Sequence, residues 1–350
     1  MLELRCSECL LEFPLSRKIP WCDCGGLFDL VFEPSAFALD QTEYSLWRYQ
    51  EMLPVRTRVS VGEPITPVAQ IKVFGRRVDA KLDFLFPTGS FKDRGAAVFV
   101  SALKEAGVTG FIEDSSGNAG ASMATYAARA GIACEVYCPA SASGPKLAQI
   151  ERSGAVIHKI AGPRKCASDA LAERVGTEFY ASHNWHPLFL HGTKTLAYEI
   201  AEQYDWNPPT HIVSPAGGGA VILGLQLGFE ELQKLGWISS IPLLYAIQAE
   251  SCAPLVYKNV EPEASLAEGI LSPNPPRLER LRSAVAGAAT VKEHEIERGF
   301  VALARQGVHV EPTTAVLYYG VEQLSIPTDE PVLVILTGSG LKSRTDFGSA

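Results

Sequence analysis

The sequence predicts an α/β protein: two doubly wound, three-layer αβα domains behind a short cysteine-bearing segment. Three observations carry this expectation. Apolar strand-like runs alternate with helix-like stretches through most of the chain, the pattern of parallel sheets covered on both faces. At 350 residues, 47% hydrophobic and 20% charged, the chain is long enough for two such sheets and too apolar for disorder. Four of its eight cysteines fall within the first 24 residues, in a segment unlike the rest.

That segment comes first. Cys6 and Cys9 form a C-x-x-C turn, and after twelve intervening residues Cys22 and Cys24 form C-x-C, followed by Gly25-Gly26. Two such turns can gather four thiolates around one tetrahedral zinc, the glycines letting the backbone curl toward the sulfurs. Four thiolates leave no open position, so the metal would be structural; four reduced thiols in a small hairpin are the plainer alternative. The scattered Cys134, Cys138, Cys166 and Cys252 read as core residues. After about residue 35 a connector bearing Tyr44, Trp47, Tyr49 and Pro54 leads into the alternating pattern.

Phe111-Ile112 reads as a strand end, and Ala119 to Ala130 as an alanine-rich helix stopped by Gly131. Cys134 to Cys138 is a strand. A short helix, Pro145 to Ser153, opens on proline and closes at Gly154 before a strand, Ala155 to Ile160. Helices are expected at Thr193 to Tyr204, Ala220 to Lys234, Glu293 to Gln306 and Thr313 to Leu324. Strands are expected at His211 to Val213, Leu243 to Ala249 and Val332 to Leu336. No run approaches a membrane-spanning length, and Glu3, Arg5 and Glu8 interrupt any apolar signal core, so a cytoplasmic protein is expected. The 31 basic and 39 acidic residues give a net charge of -8, which argues against a nucleic-acid partner.

Three loops join a strand-like run to a helix, where α/β proteins place ligands. In Pro87-Thr88-Gly89-Ser90-Phe91-Lys92-Asp93-Arg94-Gly95, a lysine opens a helix inside a shell of small residues. A helix start disfavours the ammonium and favours the neutral amine that condenses with an aldehyde. A solvated lysine beside an Asp93–Arg94 capping pair explains the segment equally well. In Asp114-Ser115-Ser116-Gly117-Asn118-Ala119-Gly120, amides and hydroxyls at a helix start can seat a carboxylate, and Asn118 adds a donor for a phenolate; an ordinary helix cap is the alternative. Pro215-Ala216-Gly217-Gly218-Gly219-Ala220 lets the backbone close on one phosphate. It is neither a dinucleotide fingerprint, since Ile222 stands where glycine belongs, nor a Walker loop, since Leu225 stands where lysine belongs.

Together these loops resemble those of the fold-type-II pyridoxal-phosphate enzymes, the tryptophan synthase β group, and most resemble the threonine synthases. The likeness covers most of residues 60 to 340, in the family's loop order, and adds Leu336-Thr337-Gly338-Ser339-Gly340-Leu341-Lys342. The cysteine pairs resemble a short ribbon that precedes many threonine synthases. The resemblance implies that Lys92 forms a Schiff base with pyridoxal phosphate and later carries protons. It implies that Asn118 bonds the phenolic oxygen, that Gly217, Gly218, Gly219 and Ala220 hold the cofactor phosphate, and that Thr337 meets the pyridine nitrogen with a neutral hydroxyl. Ser116, Gly117, Asn118 and Ala119 would hold the substrate carboxylate, Lys146 the substrate phosphate, and Cys6, Cys9, Cys22 and Cys24 a structural zinc. It further implies an amino-acid substrate, a homodimer, and three parts. These are a ribbon at 1–35, a large cofactor domain at 36–95 and 195–350, and a small mobile domain at 96–194.

The implied activity is that of a carbon–oxygen lyase turning O-phosphohomoserine and water into threonine and phosphate. Several positions depart from the family. Phe189 stands where an arginine usually clamps the substrate phosphate, and phenylalanine supplies none of that bidentate charge. Phe86 replaces an asparagine, Ala119 a hydroxyl residue, and Gly218-Gly219 make the cup more like that of serine/threonine dehydratases. These departures bear on the substrate and leave the cofactor expectation intact. A dehydratase, or a β-replacing synthase acting on O-activated serine, is the alternative with the same cofactor. A non-catalytic zinc-ribbon binding protein is the alternative from another class.

Overall fold

The computed structural model describes residues 2–142, 144–162, 164–258, 260–261 and 263–343. The chain folds into two compact units. The first combines the residues up to Glu63 with Lys92–Thr193, and the second combines Pro64–Phe91 with the chain from Lys194 onward.

The first unit opens with a small antiparallel sheet, β1 (Glu3–Cys6), β2 (Glu12–Pro14) and β3 (Phe28–Leu30), in the order β2-β1-β3. The connector then coils through a 3-10 segment, Leu46–Met52, capped by Ser45. The sequence expectation placed 36–95 in the larger unit, whereas the contacts group 36–63 with the first unit and begin it again at Lys92. Hydrogen bonds to the helices Lys92–Glu105 and Asn118–Ala130 are the physical reason: the Val59 amide donates to Ser101 Oγ at 2.9 Å and Arg129 Nε to the Ser60 carbonyl at 2.9 Å, and Glu63 adds to them. Its fully buried carboxylate accepts from Trp47 Nε1 (2.9 Å), the Ser60 hydroxyl (2.6 Å) and the Tyr126 hydroxyl (2.6 Å), and separating it from those donors would leave a buried charge uncompensated.

Next in chain order is the hairpin of β4 (Val68–Val73) and β5 (Arg76–Lys81), which belongs to the second unit. The chain re-enters the first unit at α1 (Lys92–Glu105). There follow β6 (Gly110–Glu113), α2 (Asn118–Ala130), β7 (Ala133–Pro139), α3 (Pro145–Arg152), β8 (Val156–Ile160), α4 (Arg164–Ala172), β9 (Phe179–Tyr180) and α5 (Leu188–Thr193). The four strands form a parallel sheet in the order β8-β7-β6-β9. Ile112 pairs with Tyr180, so the loops leaving β6 and β9 emerge side by side at one edge.

The second unit continues with α6 (Thr195–Gln203), β10 (His211–Pro215), α7 (Ala220–Lys234), β11 (Leu243–Ala249), α8 (Leu278–Ala284), β12 (Gly287–Val291), α9 (Glu293–Ala304), α10 (Pro312–Gly320) and β13 (Val332–Ile335). Its six strands run β12-β11-β10-β13-β5-β4, parallel except for β4. All five residues of β10 are buried, as a strand covered on both faces requires. Val213, Ile247, Val291, Val316 and Val334 lie in one apolar core. Val213 pairs with both Val334 and Tyr245, so the loops after β10 and β13 leave neighbouring strands at their carboxyl ends. Among the described residues no helix is long and apolar enough to cross a membrane.

Candidate active site

Lys92 is the first residue of α1, as its loop predicts. Asp93 is fully buried and accepts from Ser122 Oγ of α2 at 2.6 Å, fixing the start of the helix. One turn on, Gly95 lies flat against the Phe189 ring: a Cβ at 95 would sit 2.4 Å from a ring carbon. A Cβ at Gly192 of α5 would sit 2.1 Å from the Arg94 carbonyl oxygen. Two glycines therefore let α1 and α5 meet almost backbone to backbone around a fully buried phenylalanine. The ring centroid is 5.6 Å from Lys92 Nζ. The position expected to hold a cationic clamp is instead an apolar wall beside the lysine.

Asn118 opens α2, with Ser116 and Gly117 in the turn before it and Ala119 buried behind it. Ser115 Oγ accepts from the Gly117 amide at 3.3 Å, holding the turn closed. Lys146 is the second residue of α3, after Pro145, and is 8% exposed.

A group that sequence reasoning did not single out adjoins the α2 turn. Glu113, the last residue of β6, is fully buried with its Oε1 2.8 Å from Nδ1 of His183, which follows β9. Ligand atoms of Glu113, Asp114 and His183 lie within 4.8 Å of one another. Burial, reinforced by the charges of Asp114 and Glu113, pushes the nearby Tyr180 phenol well above its ordinary value and keeps it protonated. The His183 and Phe189 ring centroids are 5.7 Å apart. Two acids at a strand end are visible in the sequence; their histidine partner, 70 residues away, depends on the β6–β9 pairing.

In the second unit, the Gly217–Ala220 loop leaves β10 and becomes α7. Gly219 is the helix cap at φ +85°, a conformation that favours glycine. At Gly217 a Cβ would fall 2.7 Å from Ile270 Cα, so the loop has no room for a side chain there. Gln248 secures the loop by donating to the Ala216 carbonyl at 3.0 Å. No acidic residue occupies the first turn of α7, leaving its amides for an anion.

Thr337 follows β13 and is 6% exposed. Its carbonyl accepts from the Phe91 amide at 3.0 Å, and its Oγ1 lies 2.9 Å from Thr314 Oγ1. Ser90 and Gly338 form a bridge between the two loops. Thr314 was not singled out by sequence reasoning, because it gains its role only when α10 is folded against the β13 loop.

In the ribbon, Cys6 and Cys24 sulfurs are 3.5 Å apart, those of Cys9 and Cys22 are 3.6 Å apart, and all four lie within 4.8 Å of one another. Burial resists ionisation of Cys6, yet amide hydrogen bonds from Cys9 and Glu8 hold its thiol down to about 6. Four convergent sulfurs with amides aimed at them form a donor set suited to one tetrahedral metal ion.

The sequence profile of the pyridoxal-phosphate dependent enzymes matches residues 59–338. The chain belongs to that family. The enzyme is 32% identical to the threonine synthase of Methanocaldococcus jannaschii over 97% of this chain and 92% of that protein. It is 33% identical to the threonine synthase of Methanosarcina acetivorans over 98% and 92%. In structure it is similar to the serine racemase of Dictyostelium discoideum, with a TM-score of 0.68 and 21% identity over 79% of this chain and 92% of that one. A T.th. threonine deaminase gives 0.67 and 24% over 81% and 94%. The protein is thus a pyridoxal-phosphate-dependent enzyme of the fold-type-II class and resembles threonine synthase. Its residues suit the cofactor: a side-chain-free cradle on α7 for a phosphate, a neutral hydroxyl at Thr337 for a ring nitrogen, and a lysine at a helix start for an aldehyde.

Proposed function

We propose that the enzyme converts O-phosphohomoserine and water to threonine and phosphate. The observation that carries this reading is the similarity to threonine synthases along nearly the whole chain. Bound pyridoxal phosphate supplies the electron sink that lets a proton leave the substrate α-carbon. Lys92 would hold the cofactor covalently in the resting enzyme and, once the substrate amine takes its place there, its freed amine would carry that proton to and from carbon. The amides of Gly217, Gly218, Gly219 and Ala220 hold the cofactor phosphate, Asn118 its phenolic oxygen and Thr337 its ring nitrogen. Ser116, Gly117, Asn118 and Ala119 orient the substrate carboxylate, which fixes the α-hydrogen relative to the lysine. Lys146 supplies cationic charge for the leaving phosphate. The four N-terminal cysteines hold a structural zinc, and the protein works as a homodimer.

Incubation of the holoenzyme with O-phosphohomoserine tests the reading: inorganic phosphate and threonine should appear in equal amounts, and a flat trace from cofactor-loaded protein refutes it. The wall at Phe189 favours a second reading, elimination or β-replacement on serine, threonine or O-activated serine, which needs no second phosphate clamp. Release of pyruvate or 2-oxobutyrate from the hydroxy-amino acids, with no phosphate release, would establish it.

A further inference from the structure

The hydroxyl of Thr314 is fully buried, and its hydrogen-bond inventory fixes which way its proton points. Thr314 Oγ1 accepts from the Gly338 amide at 3.1 Å and lies 2.9 Å from Thr337 Oγ1. A hydroxyl has one proton to donate and two lone pairs to accept with. Gly338 N–H takes one lone pair. The only acceptor within reach of the Thr314 proton, among the described residues, is Thr337 Oγ1. If Thr337 were the donor of this pair, the Thr314 proton would be buried with no acceptor, a state that folded proteins avoid. Thr314 therefore donates to Thr337.

The consequence falls on the next bond in the chain. Having accepted from Thr314, Thr337 keeps its own proton, and no described residue takes it. Thr337 thus presents itself outward as a donor. We propose that Thr314 is a positioning residue that orients the Thr337 hydroxyl as a hydrogen-bond donor and so holds the cofactor's pyridine nitrogen unprotonated. The relay runs from the Gly338 amide through Thr314 to Thr337, and each link lies in the second unit. It is locked at both ends. Thr314 sits in the first turn of α10, behind Pro312, and the Glu311 amide donates to the Gly338 carbonyl at 2.9 Å, so helix and loop are fastened together on both sides of the hydroxyl pair. A carboxylate at position 337 would draw a proton onto the nitrogen; a hydroxyl free to rotate would accept either state; a hydroxyl turned by Thr314 admits only the unprotonated one. The proton affinity of the ring is thus set by a residue that never touches it.

This inference rests on the assignment of Thr337 to the pyridine nitrogen, and the experiment separates the two. The holoenzyme is loaded with pyridoxal phosphate labelled at the ring nitrogen, and the nitrogen resonance is followed by NMR from mildly acid to mildly alkaline pH. The wild-type resonance should lie at the unprotonated position throughout; a protonated position overturns the proposal without any variant. Thr314→Val removes the donor while keeping the side-chain volume. It should raise the protonated share of the ring at fixed pH by about tenfold, the size of one hydrogen bond, and make the resonance pH-dependent. Thr314→Ser should restore the wild-type behaviour, which a merely structural role for the methyl group would not predict. A folded Thr314→Val holoenzyme with wild-type resonance and pH profile overturns the proposal. Thr337→Val reports on the underlying assignment: an unchanged nitrogen resonance there would show that Thr337 does not meet the ring, whatever Thr314 does.

Discussion

The candidate residues of the two units differ in chemical character. In the first unit the candidate residues are ionisable and closely spaced: Lys92 near Phe189, Glu113 paired with His183, and Asp114 beside them. In the second unit they are neutral: the glycine cradle on α7, and the Thr314–Thr337 hydroxyl pair at the end of β13. On the proposed function, the neutral set would recognise the constant cofactor by shape and donor direction, and the charged set would serve the substrate and the proton. Of the departures named above, Phe189 and Ala119 lie in the first unit, and Phe86 and Gly218-Gly219 lie in the second.

The sharpest way to break this contrast is Lys92→Ala. Activity should fall by about four orders of magnitude or more, and the lysine-aldimine absorption band of the holoenzyme should be lost, while residual cofactor binding through the glycine cradle persists in equilibrium dialysis. Gly217→Ala attacks the other side. Its Cβ meets the Ile270 backbone at 2.7 Å, so cofactor affinity should drop by about a hundredfold, read by titrating the apoenzyme with pyridoxal phosphate. His183→Ala should raise KM for an anionic substrate by about tenfold, measured by initial rates, because it leaves the buried Glu113 charge uncompensated beside the α2 turn. It should also cost about 3 kcal/mol in denaturant unfolding. Metal removal is the mildest perturbation of catalysis. A thiol-competing chelator should release zinc, measured by elemental analysis, and lower Tm by several degrees, with the loss concentrated in the ribbon.

The sequence made the alternation of strands and helices readable from apolar runs and glycine stops, and α7 and β11 begin and end where expected. Three features escaped it. The β4–β5 hairpin carries polar residues such as Gln70, Lys72, Arg76 and Arg77, so no apolar run announces it. Helix α5 spans only Leu188–Thr193 and follows a proline, which reads as loop. The grouping of 36–63 with the first unit rests on long-range hydrogen bonds, such as Tyr126 to Glu63 and the Val59 amide to Ser101, whose partners lie tens of residues away. The same distinction holds at the site. Lys92, Asn118 and the glycine run are local patterns and could be read directly. The Glu113–His183 and Thr314–Thr337 pairs exist only through sheet order and helix packing, which no local pattern encodes.

The near-contact of α1 with α5 carries an evolutionary consequence. Because a methyl group at 95 would strike the ring of residue 189, and one at 192 would strike the carbonyl of residue 94, these positions cannot drift freely. A lineage that installs a longer, charged side chain at 189 must reroute it around a glycine-floored slot already filled by an aromatic ring. Positions 95 and 189 should therefore change together, while glycine at 192 is held by the carbonyl of residue 94 whatever stands at 189.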